Sequence, residues 1–321
     1  MITYVIIFIS LFILAFIYVK VADHFDIIDK PNQRSSHTEQ TIRGGGIIFY
    51  LAIVGFYLTT KFQYTPFFLA VTLIALVSFI DDLLTLGPKV RLVAHFTTAF
   101  LLLWQLGLIA SPIWLLLLVP IIIVGFFNLY NFMDGLNGMT GLYSIVVLMG
   151  FLSINLKEQI INSDLIIYVL LALVVFGFFN FRKKAKWFAG DIGSMTMATL
   201  IFFLGATLMI NLNSPIIILI IVVYGIDSSL TIFLRMLRKE KITEAHRHHL
   251  YQKFVDIDGW PHLKVSLCYA GIQMLVNFLI YYYYNAKLEI QFVLLVLVIV
   301  VLSLAYLFGI NYYKKIENKT S

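Results

Sequence analysis

Residues 112–141 read PIWLLLLVPIIIVGFFNLYNFMDGLNGMTG. The stretch opens with an apolar run of the kind that crosses a hydrocarbon core about 30 Å thick, which takes roughly 20 apolar residues per helix. Its second half sets Asn128, Asn131, Asp134 and Asn137 directly against that run, with Gly135, Gly138 and Gly141 among them. Apolar runs recur along the chain, for 61% of its 321 residues are hydrophobic and only 12% are charged. The fold class is therefore all-α, a polytopic integral membrane protein.

Eleven spans are predicted, over residues 2–19, 45–60, 65–81, 90–109, 112–130, 139–154, 165–181, 192–210, 215–234, 263–284 and 290–310. The first lacks a basic n-region and a small-residue cleavage site, so it reads as a retained helix rather than a signal peptide. No polar segment is long enough for a soluble domain and no internal repeat is found, which leaves one transmembrane catalytic domain over 1–321. Cys268 is the only cysteine and lies inside the tenth span, so no disulfide, zinc or thiol framework is expected.

Positive charge sets the orientation. With the N-terminus outside and the C-terminus cytoplasmic, 20 of the 23 Lys and Arg residues fall on the inner side, and only Lys61, Lys157 and Lys287 lie opposite. The unusual polar residues gather on that same inner side. They occupy the segment after span one, which ends in RGGG, FIDDLLTLGPKVR after span three, NLYNFMDGLNG after span five, FRKKAKWFAGDIGS before span eight, and the region from span nine to EAHRHHLYQKF.

Asp81 and Asp82 are adjacent acids at the end of an apolar helix, where charge is costly. A single interfacial acid would mark a helix end; an adjacent pair repels itself unless cations are near, and Lys89 and Arg91 follow. Acids beside bases at a membrane surface suit phosphate and Mg²⁺ chemistry, because Mg²⁺ is held by one or two carboxylates plus substrate phosphates. Asn131 and Asp134, three residues apart, are expected on one helical face as hard oxygen ligands. The glycines that follow permit a tight turn or, alternatively, a helix-packing seam. Asp191 in AGDIGS is either a helix N-cap or an ion ligand. Asp227, inside span nine, is a functional suspect by position, with Arg235 two turns later as its structural partner.

His246, His248 and His249 lack the H-E-x-x-H spacing of a membrane metalloprotease. Together with Arg247 they suit gripping phosphate oxygens or a sugar hydroxyl.

In order along the chain, RGGG, the Asp81–Asp82 pair, NFMDGLNG, GDIGS, Asp227 and the histidine motif resemble the polyprenyl-phosphate N-acetylhexosamine-1-phosphate transferase superfamily. Its members include undecaprenyl-phosphate GlcNAc-1-phosphate transferase and phospho-MurNAc-pentapeptide translocase. The form of the histidine motif is similar to the branch that initiates O-antigen and capsule. The resemblance implies Mg²⁺, with Mn²⁺ as a substitute, at Asp191 and Asn131. It implies a base at Asp81 beside Asp82, a phosphate contact at Lys89, and nucleotide-sugar contacts at Asp134 and Asn137. Sugar recognition then falls to His246, His248 and His249, with Arg247 and Arg43 completing the substrate-binding set. The chain departs from the translocase at Asn137 and in its histidine loop, which argues against a muramyl-pentapeptide substrate. Where the family commonly carries a proline three residues before the span-nine acid, this chain has Tyr224.

The expected reaction is transfer of HexNAc-1-phosphate from a UDP-sugar to undecaprenyl phosphate with release of UMP, at the cytoplasmic face of a bacterial inner membrane. The expected partners are UDP-N-acetylhexosamine, undecaprenyl phosphate and the bilayer, with room for a homodimer and no nucleic acid. A secondary transporter would place its polar residues near the midplane and often show repeated halves. A CDP-alcohol phosphotransferase would need an Ala-Arg and a later acid that DGLNGMTG lacks.

Overall fold

The computed structural model describes residues 2–29, 40–241 and 247–320. Twelve α-helices account for most of them: α1 Ile2–His24, α2 Ile47–Thr59, α3 Thr65–Leu84, α4 Pro88–Gln105, α5 Ile113–Phe132, α6 Met139–Glu158, α7 Ser163–Asn180, α8 Gly190–Leu212, α9 Val222–Leu237, α10 Leu250–Asp256, α11 His262–Tyr283 and α12 Leu288–Thr320. A 3₁₀ segment, Pro215–Ile221, leads into α9. Two two-residue strands, β1 Ile28–Asp29 and β2 Thr41–Ile42, pair antiparallel.

All eleven predicted spans fall on helices, but among the described residues nine helices are long and apolar enough to cross a membrane. The exceptions are α2 and α4. The first has 13 residues, about 20 Å of helix; the second carries Lys89, Arg91 and His95 in its first turns. The short helix α10 was not predicted.

The interior is organised around α8, which is buried along most of its length and packs on α3, α5, α2 and α6. Helix α6 also packs on α11. By contrast α12 buries only 11% of its apolar window, so it lies at the periphery with most of its surface left for lipid.

The ninth span breaks without a proline at residue 224. A backbone break in an apolar interior leaves polar groups that need partners. Gln273 supplies them: its Nε2 donates to the Leu219 carbonyl at 3.0 Å, and its Oε1 accepts from Val223 N at 3.3 Å and from the Tyr143 hydroxyl at 2.7 Å. Tyr224 stacks on Tyr143 with ring centroids 3.5 Å apart and donates to the Met139 carbonyl at 2.8 Å. The break is thus fixed by α6 and α11.

Candidate active site

The RGGG and GDIGS motifs are two sides of one backbone ladder. Ile42 bridges Trp187 in parallel, Phe188 N donates to the Ile42 carbonyl at 2.8 Å, and Gly45 N and Gly46 N donate to the Phe188 and Ala189 carbonyls at 2.8 and 3.0 Å. This approach leaves no room for side chains. A Cβ on Gly45 would lie 2.5 Å from the Trp187 ring, and one on Gly46 would strike the Cα of Gly193. The ladder holds the start of α2 against the start of α8 and delivers Arg43 to the end of α3.

Arg43 Nε meets Asp82 Oδ1 at 2.7 Å, and the Asp82 side chain is fully shielded from solvent. The same carboxylate accepts Asp191 N at 3.1 Å and Ile192 N at 3.2 Å. These are orphan N–H groups of the first turn of α8, so Asp82 caps that helix from another one. Asp82, read from sequence as catalytic, has both oxygens engaged in positioning Asp191. Burial works against the charge of Arg43, yet Asp82, Asp191, Asp29 and Asp81 outweigh it and hold the guanidinium protonated.

Asp81 points the other way. Its Oδ1 accepts Leu86 N at 2.5 Å and its Oδ2 faces Arg91 at 3.4 Å, which ties α3 to the start of α4. Lys89 is exposed at that start. One turn beyond Arg91, His95 is buried, edge-on to Phe127 and within electrostatic reach of Asp81 and Arg91. The sequence reading passed over it, because a lone histidine in an apolar helix carries no signal.

Asn131 and Asp134 do not share a helical face, since α5 ends at Phe132 and Asp134 N turns back to the Asn131 carbonyl at 3.1 Å. Asn131 still reaches α8, while Asp134 bonds α6. Asn131 Oδ1 accepts Ser194 Oγ at 2.6 Å, and its side chain hydrogen-bonds the Asp191 carboxyl. Asp134 accepts Thr140 Oγ1 at 2.5 Å. Burial pushes the Asp134 carboxyl up to about 7, against the Thr140 hydrogen bond, with Asp191 adding to the rise and Arg43 opposing it. Among the described residues Asp81, Asp82, Asp134 and Asp191 therefore form one electrostatic cluster in which Arg43 and Arg91 are the facing cations. Four carboxyl groups thus share two guanidinium groups.

Among the described residues no group of three or more His, Cys, Asp or Glu side chains is arranged to hold a metal. A Mg²⁺ ion does not need one, because it keeps waters and takes substrate phosphates beside one or two protein oxygens. The all-oxygen donor set of Asp191 and Asn131, inside this carboxylate cluster, fits such an ion.

Asn137 is buried. Its Nδ2 donates to the Arg182 and Lys183 carbonyls at 3.0 and 3.3 Å, and Ser266 Oγ donates to its carbonyl at 2.9 Å. Asn180, also unpredicted, accepts Gly138 N at 2.7 Å and donates to the Trp187 carbonyl at 2.9 Å. Asn137 and Asn180 thus staple the 133–138 loop to the basic turn before α8. The glycines serve both readings: Gly138 turns at φ +81°, and Gly141 lets Phe181 close in.

The histidine motif stands apart. His246 lies outside the described residues. His249 is buried, with Nδ1 3.0 Å from Asp227 Oδ1. Asp227 also accepts Leu250 N at 3.3 Å, Tyr251 N at 3.4 Å and the Tyr269 hydroxyl at 2.5 Å. The intramembrane acid is therefore the anchor of the loop and of α10, not the partner of Arg235, which bonds Glu240 and the Lys241 carbonyl. Arg247 pairs in bidentate fashion with Asp256, at 2.6 and 3.0 Å. His248 is the most open of the described three and faces Glu240 at 3.5 Å. Burial holds its imidazole below the usual histidine range, against the pull of Glu240. A direct link reaches from α10 to the carboxylate side: Tyr251 donates to the Phe132 carbonyl at 3.0 Å and fills the space beside Gly135.

Residues 64–213 match the family described as Glycosyl transferase family 4. That stretch contains all four clustered acids, Asn131 and Asn137, and leaves out Arg43 and the histidine loop. The chain is 29% identical over 308 residues to undecaprenyl-phosphate alpha-N-acetylglucosaminyl 1-phosphate transferase of Yersinia pestis, covering 84% of this chain and 82% of the relative. It is 24% identical over 278 residues to a probable undecaprenyl-phosphate N-acetylglucosaminyl 1-phosphate transferase of Bacillus subtilis, covering 78% and 75%. Against phospho-N-acetylmuramoyl-pentapeptide-transferase of Streptococcus gordonii the identity is 25% over 271 residues, covering 73% and 81%. Over that stretch, and with these relatives over most of its length, the chain is similar to undecaprenyl-phosphate sugar-1-phosphate transferases.

Proposed function

We propose that this chain transfers an N-acetylhexosamine-1-phosphate from a UDP-sugar to undecaprenyl phosphate, releasing UMP and starting a lipid-linked surface polysaccharide. The observation that carries the reading is the convergence of Asp81, Asp82, Asp134 and Asp191 with Asn131, Arg43 and Arg91 at one end of the bundle. The family match over residues 64–213 and the names of the relatives support the same reaction.

An oxygen of the lipid phosphate attacks the β-phosphorus of the UDP-sugar. The bond from that phosphorus to the bridging oxygen breaks, and the electron pair leaves on UMP. Two polyanions must meet, so catalysis rests on positioning and charge stabilisation. Asp191 and Asn131 are the residues that would hold Mg²⁺, which when bound neutralises charge on the diphosphate. Asp82 and Arg43 fix the start of α8 and hence the aim of Asp191. Lys89, exposed at the mouth of α4, is placed to meet an incoming phosphate. A phosphate monoester has a second pKa near 6, so the attacking oxygen is already ionised at neutral pH. Asp81, already bonded to Leu86 N and Arg91, then orients the lipid phosphate through Arg91 rather than removing a proton.

The donor sugar is GlcNAc or a 6-deoxy N-acetylhexosamine. An N-terminus outside and a site facing the cytoplasm are supported by the distribution of Lys and Arg. Cysteines placed at Lys186 and Lys157 should then label from opposite sides, inside and outside respectively; inverted labelling would put the carboxylates away from cytoplasmic nucleotides. The activity itself is tested by UMP release from UDP-GlcNAc by purified protein supplied with undecaprenyl phosphate and Mg²⁺. Lipid-dependent UMP release is expected; its absence with UDP-GlcNAc and with UDP-activated 6-deoxy sugars would overturn the assignment.

A further inference from the structure

Helices α9 and α12 pack together, and where their apolar faces give way to charge they enclose a cavity of about 280 Å³. Leu234, Tyr306 and Ile310 give it an apolar lining, Arg235, Arg238, Lys253 and Lys314 supply positive charge, and His248 and Glu317 complete the wall. Its lining also includes Thr231, whose Oγ1 bonds the Tyr306 hydroxyl at 2.7 Å. Lys253 bonds Glu317 at 2.7 Å and Arg238 faces Glu240 at 3.7 Å, yet with Arg235 the four cations outnumber these two acids. The same stretches of the two helices expose Phe233, Met236, Leu237, Phe308 and Tyr312. None of the lining residues belongs to the carboxylate cluster.

An apolar lining, a cationic margin and neighbouring side chains suited to acyl chains describe an amphiphilic anion. Basic pockets between membrane helices near the head-group level bind phospholipid head groups on these grounds. A guanidinium beside an ammonium adds charge-assisted hydrogen bonds to phosphate oxygens. A free anion would have no use for the apolar part. We propose that this cavity seats the phosphodiester of an anionic phospholipid, with its acyl chains lying along α9 and α12. The site lies away from the carboxylate cluster, and its lining meets the histidine loop at His248.

The test uses the full chain, purified in detergent and titrated with phosphatidylglycerol or phosphatidylcholine, with bound lipid counted by native mass spectrometry. Wild type should retain phosphatidylglycerol in preference to phosphatidylcholine. Arg238→Gln with Lys314→Gln should weaken phosphatidylglycerol about 30-fold, taking about 1 kcal/mol per basic residue near the surface. The pair Lys183→Gln with Lys184→Gln makes the same change in net charge elsewhere and should leave the affinity unchanged. If the first double variant does not fold, Lys314→Gln alone, at an exposed position of α12, should weaken binding roughly 5-fold. The proposal is overturned by unchanged affinity in the cavity variants, by equal loss in the Lys183 and Lys184 pair, or by equal retention of phosphatidylcholine. Displacement of phosphatidylglycerol by inorganic phosphate would make the cavity a free-anion site. Displacement by undecaprenyl phosphate or UDP-GlcNAc would make it part of the substrate site, and either result removes the phospholipid.

Discussion

The carboxylate cluster and the histidine loop are both polar islands at the ends of apolar helices, but they are built in opposite ways. The cluster draws side chains from α3, α4, α8, the RGGG segment and the end of α5, and its backbone is locked by glycines that admit no Cβ. The loop is anchored on α9 by a buried acid, Asp227, and its described residues are paired with near neighbours, Asp256 and Glu240 among them. Rigid backbone crossing suits a centre that must hold charge in a fixed place. A loop whose described residues pair mainly with one another suits a part that can vary with the substrate.

The contrast is broken most sharply at Asp191. Replacing it with Asn keeps the shape and removes the charge at the head of α8, so kcat should fall by about 10²–10³ while membrane insertion and the melting temperature stay near wild type. The same loss is expected on EDTA treatment of the wild type. Full turnover in either case would show that the carboxylate cluster is not a metal site.

Asp227→Asn probes the loop. Asp227 Oδ1 serves His249 and Leu250 N, and its Oδ2 serves Tyr251 N and the Tyr269 hydroxyl, so an amide in either flip sets its NH₂ against a backbone N–H. Breaking a buried pair of this kind costs about 3 kcal/mol. The melting temperature should drop, proteolysis between α9 and α10 should quicken, and KM for the UDP-sugar should rise roughly tenfold, in the range of losses seen when supporting residues are removed, with a smaller change in kcat. A variant with unchanged KM and protease resistance would mean the loop is not held by this acid.

The difference between the two islands also sets what the sequence could reveal. Hydropathy edges and the bias of Lys and Arg located Asp81, Asp82, Asn131, Asp134 and Asp191 at one end of the bundle, because helix ends and charge are local properties. The split of the adjacent pair was not legible. Neighbours on a helix point about 100° apart, and only the packing of α8 decides that Asp82 turns inward to cap it while Asp81 turns to α4. Asp227 was suspected for its position, but the nearer Arg235 was its expected partner; His249 and Tyr269 lie 22 and 42 residues away. His95 and Asn180 gave no sequence signal at all. The spans at α2 and α4 were legible as helices, though one is short and the other carries charge into its first turns.

Asp81→Asn tests the division of labour within the cluster. With the second phosphate pKa near 6, the lipid phosphate is a dianion above neutral pH and needs no base. If Asp81 removed a proton, the rate of the variant relative to wild type would climb as pH rises and the phosphate ionises unaided. With Asp81 holding Leu86 N and Arg91 instead, a loss of about tenfold in kcat/KM should stay level from neutral to alkaline pH. A pH-rate profile that converges on wild type at high pH would return the base role to Asp81.

The smallest effect is expected at His248, the most open described residue of the loop. Because burial depresses its pKa, its imidazole is neutral at pH 7 and can read a sugar hydroxyl by hydrogen bonding without adding positive charge. An apolar pocket excludes an added hydroxyl only about 10²-fold, whereas a site that bonds the hydroxyl rejects the deoxy sugar by roughly 10⁴–10⁵. His248→Ser should therefore leave UMP release largely intact and shift the kcat/KM ratio between UDP-GlcNAc and its 6-deoxy counterpart, UDP-N-acetylquinovosamine. The sign of the shift identifies the native donor: a selective loss for GlcNAc marks a hydroxyl reader, and a selective loss for the deoxy sugar marks a packing contact. The wild-type ratio should be flat above pH 7 and change only where the depressed imidazole gains a proton, below the usual histidine range. A ratio untouched by the substitution would place sugar discrimination outside His248 and direct the search to the carboxylate side of Tyr251.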